Sequence, residues 1–280
     1  MYSLMLVFAL LTQAADARGT WSIEPALGPN RTPIPGRIQF VFFLRGGITS
    51  RDTAFDPSVF RGLTPAQMAS PVKTATRFEI VREAGTFVCE GYFEAGFGSG
   101  TYLFQPNPGF RAQMLAMGLR DEIDERRILD MALHEVGPRL LAELRDAGIS
   151  VSTASELMSM RNQGITGDYV REIRQIFPSA SSREMVNMRV QEIWPDYVRE
   201  MRQMYPSASI QDLINMKVQA IWPDYAQEMR QIYPSASIRE LINMKVQGIW
   251  PDNVRAVRQA YPSASIQDVI DMKIQGVGRR

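Results

Sequence analysis

The sequence predicts an α+β protein: a small antiparallel β-sandwich or barrel followed by an α-helical solenoid of 28-residue helix-hairpin repeats. Three observations predict it. Apolar residues alternate with period two from Trp21 to about Pro108, the signature of half-buried strands. After Pro108 the period changes, and four units of 28 residues follow one another from Tyr169 to Arg280. Each unit carries two separate helix-start signals.

The chain opens with an apolar run from Leu4 to Leu11, followed by small residues at Ala15 and Ala17. That is the pattern of a secretory signal peptide over residues 1–17, too short to span a bilayer. The expected mature chain is exported, periplasmic or extracellular, with no membrane span. The alternative is an N-terminal strand of the folded protein.

Residues 18–108 form the expected β domain. Ile38, Phe40, Phe42 and Leu44 alternate in one strand, Phe78 and Ile80 in another, and Phe87, Cys89 and Phe93 in a third. Ala84-Gly85 and Gly96-Phe-Gly-Ser-Gly100 are expected as hairpin turns. A phosphate loop would need a helix after the glycines, and a strand follows instead. Cys89 has no second cysteine to pair with and falls on the apolar face, so it is expected as a small buried hydrophobe. Thr64-Pro-Ala-Gln67 has capping-box spacing.

Residues 109–280 form about six helical units. Tyr197–Asp224 and Tyr225–Asp252 differ at only six of 28 positions, whereas Leu140–Asp168 and Phe110–Arg139 are fainter copies. Within a unit the first helix opens at Pro195-Asp196, carries an apolar stripe at Tyr197, Val198, Met201, Met204 and Tyr205, and ends before Pro206. The second is announced by the capping box Ser209-Ile-Gln-Asp212, with Ile210, Leu213, Ile214 and Val218 as its expected buried face. The same signal recurs at Ser181, Ser237 and Ser265, and Thr153 with Glu156 serves the 29-residue unit. Helices this short are marginal alone, so the units must stack on one another.

Composition excludes several functions. A net charge of +1 lacks the basic excess with which nucleic-acid binding begins. One Cys and one His exclude a disulfide framework and a Cys/His zinc cage, and no cofactor is expected.

Gly164-Ile-Thr-Gly-Asp-Tyr-Val-Arg-Glu-Ile-Arg174 and Gly100-Thr-Tyr-Leu-Phe-Gln-Pro-Asn-Pro-Gly-Phe110 resemble the extracytoplasmic part of bacterial β-lactam-sensor-type antirepressor metallopeptidases. There, a β domain and short helical repeats follow a membrane protease. The resemblance implies a sensor or interaction portion without the enzyme. The protease needs His-Glu-x-x-His to bind zinc, and here His134-Glu135 meets Pro138 where the second His would stand. No catalytic residue carries over.

The expected function is therefore a non-enzymatic interaction module presenting its repeats to a protein or peptide. A cell-envelope hydrolase, and a small-ligand sensor built on the β domain, are the alternatives. Trp194, Trp222 and Trp250 hold one position in three successive units, just before the helix-opening Pro. Thr166 holds the same position upstream, so a unit folds without Trp there. The indoles are either core packing or an aromatic ladder for a partner, with Tyr197 and Gln203 as its polar edge. A basic column at Arg161, Arg189, Lys217, Lys245 and Lys273 is either a set of snorkelling stems or a line facing an anionic partner. A methionine column at Met160, Met188, Met216, Met244 and Met272 is expected in the core. Finally, Glu and Arg recur two residues apart in the first helices, on opposite flanks. That predicts inter-unit pairs Glu143–Arg174, Glu172–Arg202, Glu200–Arg230 and Glu228–Arg258.

Overall fold

The computed structural model describes residues 17–44, 47–55 and 59–276. The signal-peptide expectation, apart from Ala17, lies outside them. The described chain divides into two compact units, Met1–Glu143 with Val151–Asn162, and Leu144–Ser150 with Gln163–Arg280. The change of sequence period at 108 is thus not the boundary between them, because the first helices after it belong with the sheet.

Six strands build the first unit: β1 (Arg18–Leu27), β2 (Pro33–Leu44), β3 (Gly47–Phe55), β4 (Thr74–Arg82), β5 (Gly85–Glu94) and β6 (Phe97–Pro106). They form one antiparallel sheet in the order β3-β2-β1-β6-β5-β4, where two packed layers or a barrel were expected. One face is strongly aromatic, since Trp21, Phe40, Phe42, Phe78, Phe87, Phe104 and Tyr102 are all buried. The sheet coils around these rings, so that Phe40 on β2 and Phe78 on β4 both touch Phe60, at 5.5 and 5.4 Å between ring centroids.

The glycine cluster serves this coiling, and only its first member makes a turn. Ala95 and Gly96, with φ of 49° and 88°, form a two-residue hairpin loop. Gly98 and Gly100 lie inside β6 instead. A Cβ at Gly100 would sit 2.0 Å from the Glu90 carbonyl oxygen, and one at Gly91 would sit 2.7 Å from the Trp21 ring. These bare backbones let Trp21 cross two strands and meet Phe78 edge-on at 5.0 Å. Cys89 is buried on the same face as expected, and burial pushes its thiol pKa far up.

Helices α1 (Pro65–Met68), α2 (Phe110–Ala116), α3 (Glu125–Leu133) and α5 (Ala154–Asn162) complete the first unit, while α4 (Pro138–Asp146) runs across the division. The Thr64–Gln67 capping box forms, with the Gln67 amide donating to Thr64 Oγ1 at 3.2 Å. Glu135, just past α3, is held by Arg82 at 2.5 Å and Arg161 at 2.7 Å.

The second unit is a repeated series of helix pairs: α6 (Gly167–Ile176) with α7 (Ser182–Val190), α8 (Pro195–Met204) with α9 (Ile210–Val218), α10 (Pro223–Ile232) with α11 (Ile238–Val246), and α12 (Pro251–Ala260) with α13 (Ile266–Ile274). First helices pack on first helices and second on second. Every expected serine capping box in this unit forms, at Ser181, Ser209, Ser237 and Ser265. Met188, Met216 and Met244 are fully buried, as are Val198, Met201 and Leu213. Val218, expected in the core, is 55% exposed, and Val190 and Val246 share that fate at 54% and 58%.

Candidate interaction surface

Each tryptophan sits at the N-cap of a first helix with extended backbone, for example φ −88° and ψ 159° at Trp222, and offers no side-chain cap. Thr166 makes that cap in the first pair, accepting from the Tyr169 amide at 3.3 Å. The indoles are not core. Trp194, Trp222 and Trp250 are 51%, 51% and 53% exposed, whereas Trp21 in the sheet is 1% exposed.

What holds each indole is a tyrosine and a cation. Tyr169, Tyr197 and Tyr225 meet Trp194, Trp222 and Trp250 edge-on, at 6.5, 6.4 and 6.0 Å between centroids. Each tyrosine is buried, and its hydroxyl donates to the carbonyl immediately before the Trp: Ile193 at 3.1 Å, Ile221 at 3.0 Å and Ile249 at 3.0 Å. Burial pushes all three phenol pKa values strongly up, so these hydroxyls stay protonated donors. Tyr197 is therefore a buried support rather than the expected polar edge. Gln203 is not part of the rung either. It is exposed near the far end of α8, nine residues from Trp194, about 13 Å along a helix at 1.5 Å rise per residue.

Three members of the basic column lie on these rings. The Arg189 guanidinium lies 3.4 Å from the Trp194 ring centroid, and the Lys217 and Lys245 ammoniums lie 3.6 Å from those of Trp222 and Trp250. Lys217 falls inside the apolar arc of its helix because its stem runs to an indole five residues on. Burial lowers the pKa of Lys217 and Lys245, with Glu192 partly offsetting this at Lys217. Five residues beyond Arg161 stands Thr166 rather than a tryptophan, and Arg161 turns to Glu135 and the His134 carbonyl instead. His134 itself caps the end of α3, its Nδ1 2.8 Å from the Asp130 carbonyl oxygen.

The four arginines of the expected Glu–Arg pairs all donate to backbone carbonyls. Arg174 donates to the carbonyls of Gly148 and Pro178. Arg230 donates to Met204 in the preceding pair and to Pro234 in its own, and Arg258 repeats this with Ile232 at 3.0 Å and Pro262 at 2.8 Å. Arg202 donates to Ala208 at 2.9 Å. Three of these guanidiniums also lie over the aromatic residue ending the preceding first helix: Arg202 over Phe177, Arg230 over Tyr205 and Arg258 over Tyr233. Unsatisfied carbonyls at a helix C-terminus attract cations, and a planar fork serves two of them at once. Glu172 and Glu228 pair instead with Arg199 and Arg255, the latter at 2.6 Å. Gln227 holds the corresponding position opposite Glu200. Spacing showed which residues flank the stripe; it did not reveal the competing carbonyl acceptors.

No protein family, curated protein or solved structure matches the chain.

Proposed function

We propose that the helical series is a solenoid-type interaction module that binds a protein or peptide along its tryptophan column, without enzymatic activity. One observation carries this reading. Three indoles and three valines, Val190, Val218 and Val246, stand more than half exposed at matching positions of successive pairs. Tryptophan is among the side chains most enriched at binding hot spots. The sheet lends less support to a ligand sensor, since its aromatic face is filled by its own rings. A cavity of about 510 Å³ lies on the opposite face, lined by Arg18, Thr20, Arg77, Val88 and Glu90 among others. The kinship with the antirepressor sensors, and export of the chain, remain proposals resting on the sequence.

The test compares the full chain with the triple variant Trp194→Thr, Trp222→Thr and Trp250→Thr as paired baits. A partner of defined identity that binds the first and not the second, with both still folded by circular dichroism, supports the reading. Equal binding to both overturns it.

A further inference from the structure

The rung geometry narrows the chemistry of the partner. We propose that the column takes an extended, acidic, proline-rich peptide in the polyproline II conformation. This rests on the tryptophan column being the contact surface.

The first argument is repeat length. First helices α6, α8, α10 and α12 pack in succession, as do second helices α7, α9, α11 and α13. Packed helices lie about 8–10 Å apart, so successive rungs recur at about that distance. A polyproline II chain shows the same side every three residues, about 9.3 Å. A β-strand repeats its face every two residues, about 6.6–6.8 Å, and falls out of step by the second rung. An α-helix turns every 5.4 Å and restores a face after seven residues, about 10.5 Å, just beyond the window. Of the three, the polyproline II repeat falls nearest the middle of that spacing.

The second argument is chemical. Each rung offers an open flat indole, an exposed valine four residues earlier, and a cation beside the ring. Among the described residues, Lys217 and Lys245 make no hydrogen bond and have no carboxylate within 4 Å. Arg189 donates its Nε to the Gln163 carbonyl at 3.0 Å and leaves Nη1 without an acceptor. The acidic residue of the first rung, Glu192, becomes Ala220 and Gly248 in the next two. Spare donors therefore recur beside apolar faces; an exposed aspartate also follows each tryptophan by two residues, Asp196 and Asp252 being held by Arg199 and Arg255, and Asp224 making no salt bridge among the described residues. Proline rings suit the indole and valine surfaces, and polyproline II leaves every backbone carbonyl free to accept. A carboxylate in each triplet would complete the lysine.

The probe is a fluorescent peptide of four Pro-Pro-Glu triplets, titrated with the full chain by anisotropy. Pro-Pro-Lys and Gly-Ser-Glu triplets of the same length are the comparisons. The expected result is saturable binding of Pro-Pro-Glu alone, weakened at least about tenfold by Trp222→Thr and by the double variant Lys217→Gln, Lys245→Gln. Equal binding of Gly-Ser-Glu, or binding indifferent to Trp222→Thr, overturns the proposal. A random peptide-display selection separates this failure from that of the parent reading. Selected peptides that need the tryptophans but lack Pro and acid triplets sink the polyproline assignment and leave the interaction surface standing. If no selected peptide needs the tryptophans, both fall. Quenching of tryptophan fluorescence by a β-1,4-linked oligosaccharide, with none by Pro-Pro-Glu, also overturns the assignment.

Discussion

Replacing Arg230 with Lys tests how successive helix pairs are joined. Arg230 donates Nη1 to the Met204 carbonyl at the end of α8, and Nη2 and Nε to Pro234 at 3.2 and 3.4 Å. Its guanidinium lies 5.1 Å from the Tyr205 ring centroid. Lysine keeps the charge and reaches one carbonyl, but it lacks the fork and the planar face. Hydrogen bonds from charged donors contribute about 1.5–3 kcal/mol each, with partly exposed ones at the low end. The substitution should therefore cost about 1.5–2 kcal/mol, and Arg230→Met about 3 kcal/mol. For a chain of this size each kcal/mol lowers Tm by about 2–4 °C. The Lys variant should melt about 3–8 °C lower by circular dichroism. Glu200→Gln is the control, because Glu200 stands opposite Gln227 and its loss should stay within about 0.5 kcal/mol. A carbonyl acceptor does not titrate, so the Arg230 effect should persist at low pH where carboxylates are protonated. The reasoning is refuted if Arg230→Lys is neutral, if Glu200→Gln costs as much, or if acid abolishes the difference.

Tyr197→Phe removes the buried donor to the Ile221 carbonyl and should cost about 1–2 kcal/mol, read as a lower Tm of the helical series. Capping carboxylates Glu184, Glu240 and Asp268 have pKa values lowered by hydrogen bonds from Ser181, Ser237 and Ser265. Their contribution is present above the ordinary carboxylate pKa, near 4, and is lost as pH falls through the lower folded values. Tm should drop over that range, and Glu184→Gln with Glu240→Gln and Asp268→Asn should flatten the drop; an unchanged profile would show the caps are not responsible. Cys89 is buried with its thiol pKa raised, so a thiol reagent should label it only on unfolding. Rapid labelling of the native chain would contradict the placement of β5.

The repeats were legible because their signals are local. A serine three residues before a carboxylate, at the start of a helical apolar run, caps a helix through contacts confined to one turn, and the boxes at Ser209 and Ser237 formed where the spacing put them. The sheet was legible strand by strand, but not as one coiled sheet. The reason is Trp21, whose reach across Gly100 and Gly91 to Phe78 joins residues 57 positions apart with no periodic trace. The rungs were half visible. Trp222 stood out against Thr166, and Lys217 was out of place on an apolar arc. The constant five-residue offset from Lys217 to Trp222, repeated at Lys245 and Trp250, was the signal that joined them. The arginine clamps left no such signal, since their acceptors are backbone carbonyls that no side-chain identity marks.

Hydroxyl-radical footprinting of the tryptophans, free and with a peptide selected on the full chain, tests the interaction surface most directly. Trp21 is buried and serves as the internal control, silent in both states. The account predicts oxidation of Trp194, Trp222 and Trp250 in the free chain and protection of all three in the complex. Equal oxidation of the three in both states would contradict it.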